Sequence, residues 1–499
     1  MQFKYMAKKN QRVSPIVINK DQFREIGYRL VDTISDFYDT ISERPVTTGE
    51  TPKEIQTLLG NNSLPESGTS VSELFSRTSD LLLNHSLFNG HPKFFGYITS
   101  SPTQIGALAD MLAAVVNPNV GANILSPVAT AIERQTVRWL SEFIGVSPSY
   151  GGILVSGGNM ANLTAFLAAR TAKAPKNMKE DGLTNTPNEM VFYCSKATHT
   201  WIDKAAVLFG HGSKAIRWIP TDDDNKMNTA VLLQTIKDDI KNGKKPFLVI
   251  GNAGDVSTGV VDDLSEIASI CRSHDLWFHI DGAYGIPAAV IPQYKSLFDG
   301  IREADSIALD PHKWLYAPLE AGCTLVKNPQ HLIDTYSAHP SYYNFDNSAD
   351  EPNLNYYEYG FQNSRGFRAL KVWMALQQVG KNGYIKMINE DIELSKLLFE
   401  SAQQHPELEA LTQSLSIATF RYVPLNYEQD ENYLNKLNEK LLNELEQGGE
   451  VFLSNAVVAG KYCLRACIVN YRTSKKDILE IIEIIVREGR KVHDALNKK

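Results

Sequence analysis

The chain is poor in cysteine. It has five in 499 residues, at positions 194, 271, 323, 463 and 467, with no Cys-x-x-Cys among them. That excludes a disulfide framework and leaves reduced, mostly buried thiols of the kind expected in a cytoplasmic protein. Long hydrophobic runs are missing too, so no membrane span is expected. The first ten residues are mixed and basic without an apolar stretch, so no secretory signal is expected. Positive charge is not in excess: 50 Lys and Arg against 57 Asp and Glu give a net charge of −7. This balance offers nucleic acid no basic surface. The glycine turn at 157–158 fits neither Gly-x-x-x-x-Gly-Lys-Ser/Thr nor Gly-x-Gly-x-x-Gly, which argues against a nucleoside triphosphate or NAD. No internal repeat, low-complexity segment or metal site is expected.

The chain is 43% hydrophobic and 21% charged, ordinary for a globular protein of two or three domains. Phe23, Ile26, Leu30, Val31, Ile34, Phe37, Tyr38 and Ile41 recur at helical spacing, which predicts an amphipathic helix over 21–44 capped near Asp21. A second helix is predicted over 71–84, after a Pro- and Gly-bearing connection. An apolar face with so little chain around it predicts that residues 1–90 form a dimerisation arm. Helices follow at 105–116 and 127–143. Short apolar runs at 190–194, 215–219, 247–250, 277–280, 306–309 and 321–326 then alternate with helical stretches. Alternation of this kind predicts an α/β domain over 91–384 with a mainly parallel sheet. Residues 337–365, rich in Tyr, Asn and Asp, read as a long functional loop, not a packed element. A helix is predicted over 367–379. The remainder, 385–499, reads as a small α+β domain with helices at 384–404, 431–448 and 476–496 and strands at 416–421 and 462–469.

Four features carry chemistry. Lys313, in Asp310-Pro311-His312-Lys313-Trp314-Leu315, ends a short buried strand. It reads either as a Schiff-base lysine with its pKa lowered in the interior or as a strand-end lysine reaching back to solvent. Gly157-Gly158-Asn159 lies between a strand and a helix, where backbone N–H groups hold a phosphate; glycine there can also serve the turn alone. Asp281, in His279-Ile280-Asp281-Gly282-Ala283-Tyr284, reaches the carboxyl edge of the sheet, where a carboxylate can pair with a protonated ring nitrogen or simply cap the strand. His199 follows another strand and could stack on a flat cofactor or cap the next helix. A flat, phosphorylated, aldehyde-bearing ligand with a basic ring nitrogen satisfies all four, and pyridoxal 5′-phosphate is such a ligand.

With these motifs stand His91-Pro92-x-Phe94-Phe95, Ala109-Asp110-Met111-Leu112, Cys194-Ser195-x4-His199, Asp305-Ser306-x4-Pro311-His312-Lys313-Trp314, Arg365-x2-Arg368-Ala369-Leu370-Lys371-x-Trp373 and Leu464-Arg465-x-Cys467-Ile468. The set covers nearly the whole chain and resembles the group II pyridoxal-phosphate decarboxylases, in pattern nearest their aromatic-L-amino-acid branch. The resemblance implies a fold type I protein: a mainly parallel seven-stranded sheet between helices, a small C-terminal α+β domain and an N-terminal helical arm, assembled as a homodimer. It implies that Lys313 forms the Schiff base, Asp281 keeps the pyridine nitrogen protonated, and His199 stacks on the ring and meets the substrate. Gly158 and Asn159 would hold the phosphate, with His312 and Ser306 nearby. Ser100 falls at a substrate-contacting position, and Tyr342, in His339-Pro340-Ser341-Tyr342, at the position that protonates the α-carbon. Two positions depart from the pattern: Gly-Thr-Thr is here Gly254-Asp255-Val256, and the Asn three residues before the lysine is Asp310.

The implied reaction is decarboxylation of an aromatic L-amino acid (tyrosine, DOPA or tryptophan) to the amine and CO2. Its rivals are an aromatic aldehyde synthase or a decarboxylase of a non-aromatic acid such as glutamate on the same scaffold. A desulfurase would want a cysteine in 337–365, which has none, and the aldehyde-synthase branch resembles sequences with Phe where Tyr342 stands. A non-catalytic scaffold would not need Lys313, Asp281 and His199.

Overall fold

The computed structural model describes residues 14–175, 178–183, 186–338, 354–425 and 430–498. The chain divides into two compact units, one reaching to Phe88 and including 447–450, the other holding the rest.

In the smaller unit, α1 (Lys20–Thr40), α2 (Pro52–Leu59) and α3 (Val71–Asn84) each begin at a residue suited to it. Asn19 caps α1 by accepting from the Gln22 N–H at 2.9 Å, two residues ahead of the expected Asp21. Thr51 and Glu54 form a reciprocal capping box on α2. Each such cap contributes about 1 kcal/mol. Arg29 donates to Ser72 at 2.8 Å and Arg44 to the Leu83 carbonyl at 2.7 Å, tying α1 and the turn after it to α3.

The larger unit is built on a seven-stranded sheet in the order β1-β7-β6-β5-β4-β2-β3. Its strands are β1 (Gly151–Val155), β2 (Met190–Ser195), β3 (Ile216–Ile219), β4 (Lys245–Asn252), β5 (Trp277–Asp281), β6 (Ser306–Leu309) and β7 (Gly322–Val326). The run from β3 to β6 is parallel, and β7 lies antiparallel to both neighbours. These strands are apolar almost throughout because both sheet faces are covered. Val191, Tyr193 and Val249 enter one cluster, while Phe192, Cys194, Leu248 and Ile250 enter the other, the alternation a pleated strand imposes.

Helices α4 (Gln104–Val116), α5 (Pro127–Ile144), α6 (Gly158–Lys173), α7 (Trp201–Leu208), α8 (Thr229–Lys241), α9 (Leu264–Ser273) and α10 (Gln330–Tyr336) accompany the sheet. The helix α11 (Ala369–Gln404) joins the two predicted helices of that region, with non-helical backbone at Gly380, φ 66°. Beyond it lie α12 (Glu431–Gly448), α13 (Lys475–Asn497) and a four-stranded antiparallel sheet, β10-β11-β9-β8. Only β9 (Ile417–Tyr422) and β11 (Lys461–Cys467) were expected. The others, β8 (Leu408–Ser414) and β10 (Ser454–Val458), are half-buried or alternate buried with exposed, so they lack an apolar run. No helix among the described residues is long and apolar enough to cross a membrane.

The expectation of an unpacked loop over 337–365 needs correction at its described end. Asn355, Tyr356 and Tyr357 are buried. Arg365 is almost wholly enclosed and donates to Glu133 and to the Leu154 carbonyl, both at 2.6 Å. Breaking such a buried pair costs about 3–5 kcal/mol. The same Glu133 accepts from the Leu154 N–H at 2.9 Å and so fixes β1, which leads directly into the glycine turn.

Candidate active site

The carboxyl ends of β1, β2, β4, β5 and β6 meet at one edge of the sheet. A cavity of about 330 Å³ opens there, lined by Ser156–Met160, His199, Asn252, Asp281, Asp310, His312 and Lys313 among others. This is the edge at which open α/β sheets bind ligands.

After β6 the chain turns at once, the Lys313 N–H donating to the Asp310 carbonyl at 2.9 Å. Lys313 thereby points its amine into the cavity, about one fifth exposed. The segment is fixed from behind. Ser100 donates to the His312 carbonyl at 2.8 Å, and Tyr384 to the Leu315 carbonyl at 3.1 Å. Trp314 Nε1 donates to Asp391 Oδ2 at 2.8 Å, and the Tyr316 hydroxyl donates to the same oxygen. Burial pushes the Asp391 carboxyl up to about 7.

Asp281 is the last residue of β5. Its Oδ2 accepts from Trp201 Nε1 at 2.7 Å and its Oδ1 from the Ala283 N–H at 3.2 Å, which aims the buried carboxylate along the cavity floor. His199 stands exposed at the mouth, its Nδ1 accepting from the Trp201 N–H at 3.3 Å. Protein packed against part of the ring lowers its pKa by desolvation; Asp281 opposes this and Lys313 reinforces it. Asn252 closes β4 and donates to Ser195 at 3.0 Å and Thr198 at 3.3 Å, setting the loop that carries His199.

At the start of α6, Gly157 has φ 154°, and a Cβ on Gly158 would come within 2.7 Å of Asp310 Oδ2. The turn is closed to side chains, while the first N–H groups of the helix keep no intrahelical acceptor. His312 lies alongside, its Nδ1 2.8 Å from the Ala321 carbonyl; burial lowers its pKa, and nearby Asp310 opposes that.

The family model described as the pyridoxal-dependent decarboxylase conserved domain matches residues 52–423. The chain belongs to this family. It is a pyridoxal-phosphate-dependent amino-acid decarboxylase of the expected α/β class. A relative named aromatic-L-amino-acid decarboxylase, from Bacillus atrophaeus, is 34% identical over 471 residues, 93% of this chain and 95% of that one. A phenylacetaldehyde synthase from Arabidopsis thaliana is 28% identical, covering 95% of this chain and 96% of its own. The solved structure of Oryza sativa TDC with PLP and tryptamine gives a TM-score of 0.89 at 24% identity, covering 96% of this chain and 99% of that one, a likeness of fold.

The decarboxylase's cavity fits its cofactor. The closed glycine turn at a helix N-terminus suits the phosphate, the Asp281 carboxylate suits a protonated ring nitrogen, and the Lys313 amine, 3.2 Å from Asp310 Oδ2, lines the cavity where it can meet an aldehyde. Lys313, Asp281, His199, Gly158, Asn159 and His312 all line it.

Two expected contacts face elsewhere. Ser306 opens β6 instead of closing it, and its hydroxyl is taken by Trp277 Nε1 and His279 Nδ1, both at 2.8 Å. In register it lies beside His279, a step behind Asp281. Ser100 supports the lysine segment but does not line the cavity; Ile98 of the same segment does. Tyr342 lies outside the described residues. The Asp255 departure is self-contained: its carboxylate accepts from the N–H groups of Ser257, Thr258 and Val260 at 2.8, 2.9 and 3.0 Å, and from the Thr258 hydroxyl. Trp201, Asn252 and Asp391 were not foreseen. A polar residue closing an apolar strand is the signal that could have found Asn252.

Proposed function

We propose that this decarboxylase converts an aromatic L-amino acid to its amine and CO2 in the cytoplasm, as a homodimer. The observation that carries the reading is Lys313, Asp281 and His199 around one cavity at the carboxyl edge of the sheet. When bound, pyridoxal phosphate supplies an aldehyde that condenses with amines and a ring that accepts the electron pair left by the departing carboxylate. Lys313 would anchor the cofactor through its amine, which lines the cavity. Asp281, oriented by Trp201 and Ala283, holds a proton on the ring nitrogen. His199, at the cavity mouth, would lie against the cofactor's ring and meet the substrate. The N–H groups at Gly158 and Asn159 bind the phosphate. Tyr342 supplies the proton to the α-carbon.

An aromatic side chain is supported by Ile98, Val256 and Leu319 on the cavity wall. Among the described residues lining it, Lys313 is the only Lys or Arg, so glutamate's second carboxylate would lack a cationic partner. The Bacillus relative's name agrees. A dimer is supported by the outer face of α4, where Leu108, Met111, Leu112, Val115 and Val116 are exposed, and by the arm at 1–90; residues 91–384 would carry the cofactor and 385–499 the smaller α+β part. Five free, buried cysteines fit a reducing compartment.

The test is a panel of aromatic and acidic amino acids assayed for amine, CO2, aldehyde and peroxide. Amine and CO2 from an aromatic acid are expected, and efficient turnover of glutamate alone would reject the substrate class. Tyr342→Phe should keep substrate binding and shift products toward aldehyde, ammonia and peroxide. Tyr343→Phe is the control that should not.

A further inference from the structure

We infer that Asp310 sets how tightly the cofactor's phosphate is held, and that it weakens this grip relative to the rest of the molecule. The inference rests on the reading that Lys313 anchors the cofactor with its phosphate at the start of α6.

The Asp310 carboxylate is 1% exposed, and neither oxygen accepts a hydrogen bond among the described residues. The nearest basic groups are Lys313 Nζ, 3.2 Å from Oδ2, and the His312 ring, with Nε2 at 3.8 Å. On its other side Oδ2 lies 2.7 Å from where a Gly158 Cβ would be, so the carboxylate already sits at the first turn of α6. That turn is where the helix holds an anion. A phosphate ester brings a charge of about −2 beside a buried carboxylate, and like charges in a poorly screened cavity repel strongly. An amide at this position could donate to a phosphate oxygen; an ionised carboxylate only accepts. Asp310 is thus a specificity-determining residue: it lowers the preference for the phosphorylated aldehyde over its unphosphorylated form and speeds cofactor exchange.

The test uses the full-length protein, stripped of cofactor and titrated with pyridoxal phosphate and with pyridoxal, as wild type and as Asp310→Asn. With either compound the Lys313 amine forms the same C=N bond and one water leaves, so the covalent contribution cancels in the ratio of the two dissociation constants. Asp310→Asn is expected to raise the preference for the phosphorylated compound by about tenfold or more. Inorganic phosphate should compete with pyridoxal phosphate about tenfold better in the variant. Should Asp310→Asn fail to fold, Asp310→Ser is read in the same way. An unchanged or lowered ratio overturns the inference. So does equal tightening of both compounds, which would place the action of Asp310 on Lys313 alone. Borohydride trapping of the aldehyde on Lys313 separates the two readings: an unmoved ratio with Lys313 still labelled sinks the role of Asp310 and leaves the anchoring lysine standing.

Discussion

The carboxyl edge of the parallel sheet and the outer face of α4 are opposite solutions to exposure. At the sheet edge most of the buried polar groups are partnered within the chain, Asp281 by Trp201 and Ala283, Asn252 by Ser195 and Thr198, Asp255 by its own turn, with the Asp310 carboxylate the exception. On α4 small residues, Gly106 and Ala109, are buried, and Asp110 pairs with Lys371 of α11 at 2.9 Å. The outward residues there are apolar and bare, Val115 and Val116 about two thirds exposed. A catalytic site must hold its dipoles in place before any ligand arrives. The association surface proposed for α4 would need only area and shape until a partner covers it.

Four substitutions would break or sharpen that contrast. Lys313→Ala should lower turnover by at least about 10³-fold and abolish the visible absorbance of bound cofactor; in the wild type, borohydride reduction and peptide mapping should place the label on Lys313, and a label on another lysine would remove the central assignment. Asp281→Asn should leave Trp201 its acceptor and cofactor binding largely intact, yet cost about 10²-fold or more in kcat; a change confined to KM would mean that Asp281 does not act on the ring. On α4, Leu112→Glu together with Val115→Glu should weaken self-association by about 100-fold or more, read by sedimentation velocity. An unaltered dimer would move the interface elsewhere.

The smallest effect lies behind the lysine segment. Burial raises the Asp391 pKa from 3.8 to about 7 in the folded protein, so between those values the folded state keeps a proton the unfolded chain has released. Stability therefore falls as pH rises from about 4 to 7 and this loss is complete above that. Asp391→Asn keeps an acceptor for Trp314 and Tyr316 and has no proton to lose, so its melting temperature should drop less across that window, by a few °C. Parallel pH profiles for variant and wild type would place the carboxyl's titration outside this range.

Much of the large sheet could be read from sequence because strands buried on both faces are continuous apolar runs, as Phe192–Cys194 and Phe247–Ile250 are. Strands β8 and β10 could not, since a half-buried strand with Glu409, Thr412 or Asn455 along it looks like a loop until its partner is known. Lys313 and Asp281 stood out as charges at the ends of such runs. Their supports did not: Trp201 reaches Asp281 across 80 residues and Asp391 reaches Trp314 across 77, and nothing local marks either pairing. Ser306 was expected near the phosphate from the resemblance alone, and it occupies the other end of its strand.

The five cysteines give the molecule a use in the laboratory that its chemistry does not require. Each is buried, and burial pushes every one of their thiols up, away from the reactive thiolate. The native fold is therefore a quiet background for thiol reagents. A cysteine introduced at exposed Leu319, on the cavity rim, or at Val115 would react ahead of all five, and a fluorophore carried there would report cofactor uptake or subunit association in real time without removing a single native residue from the core.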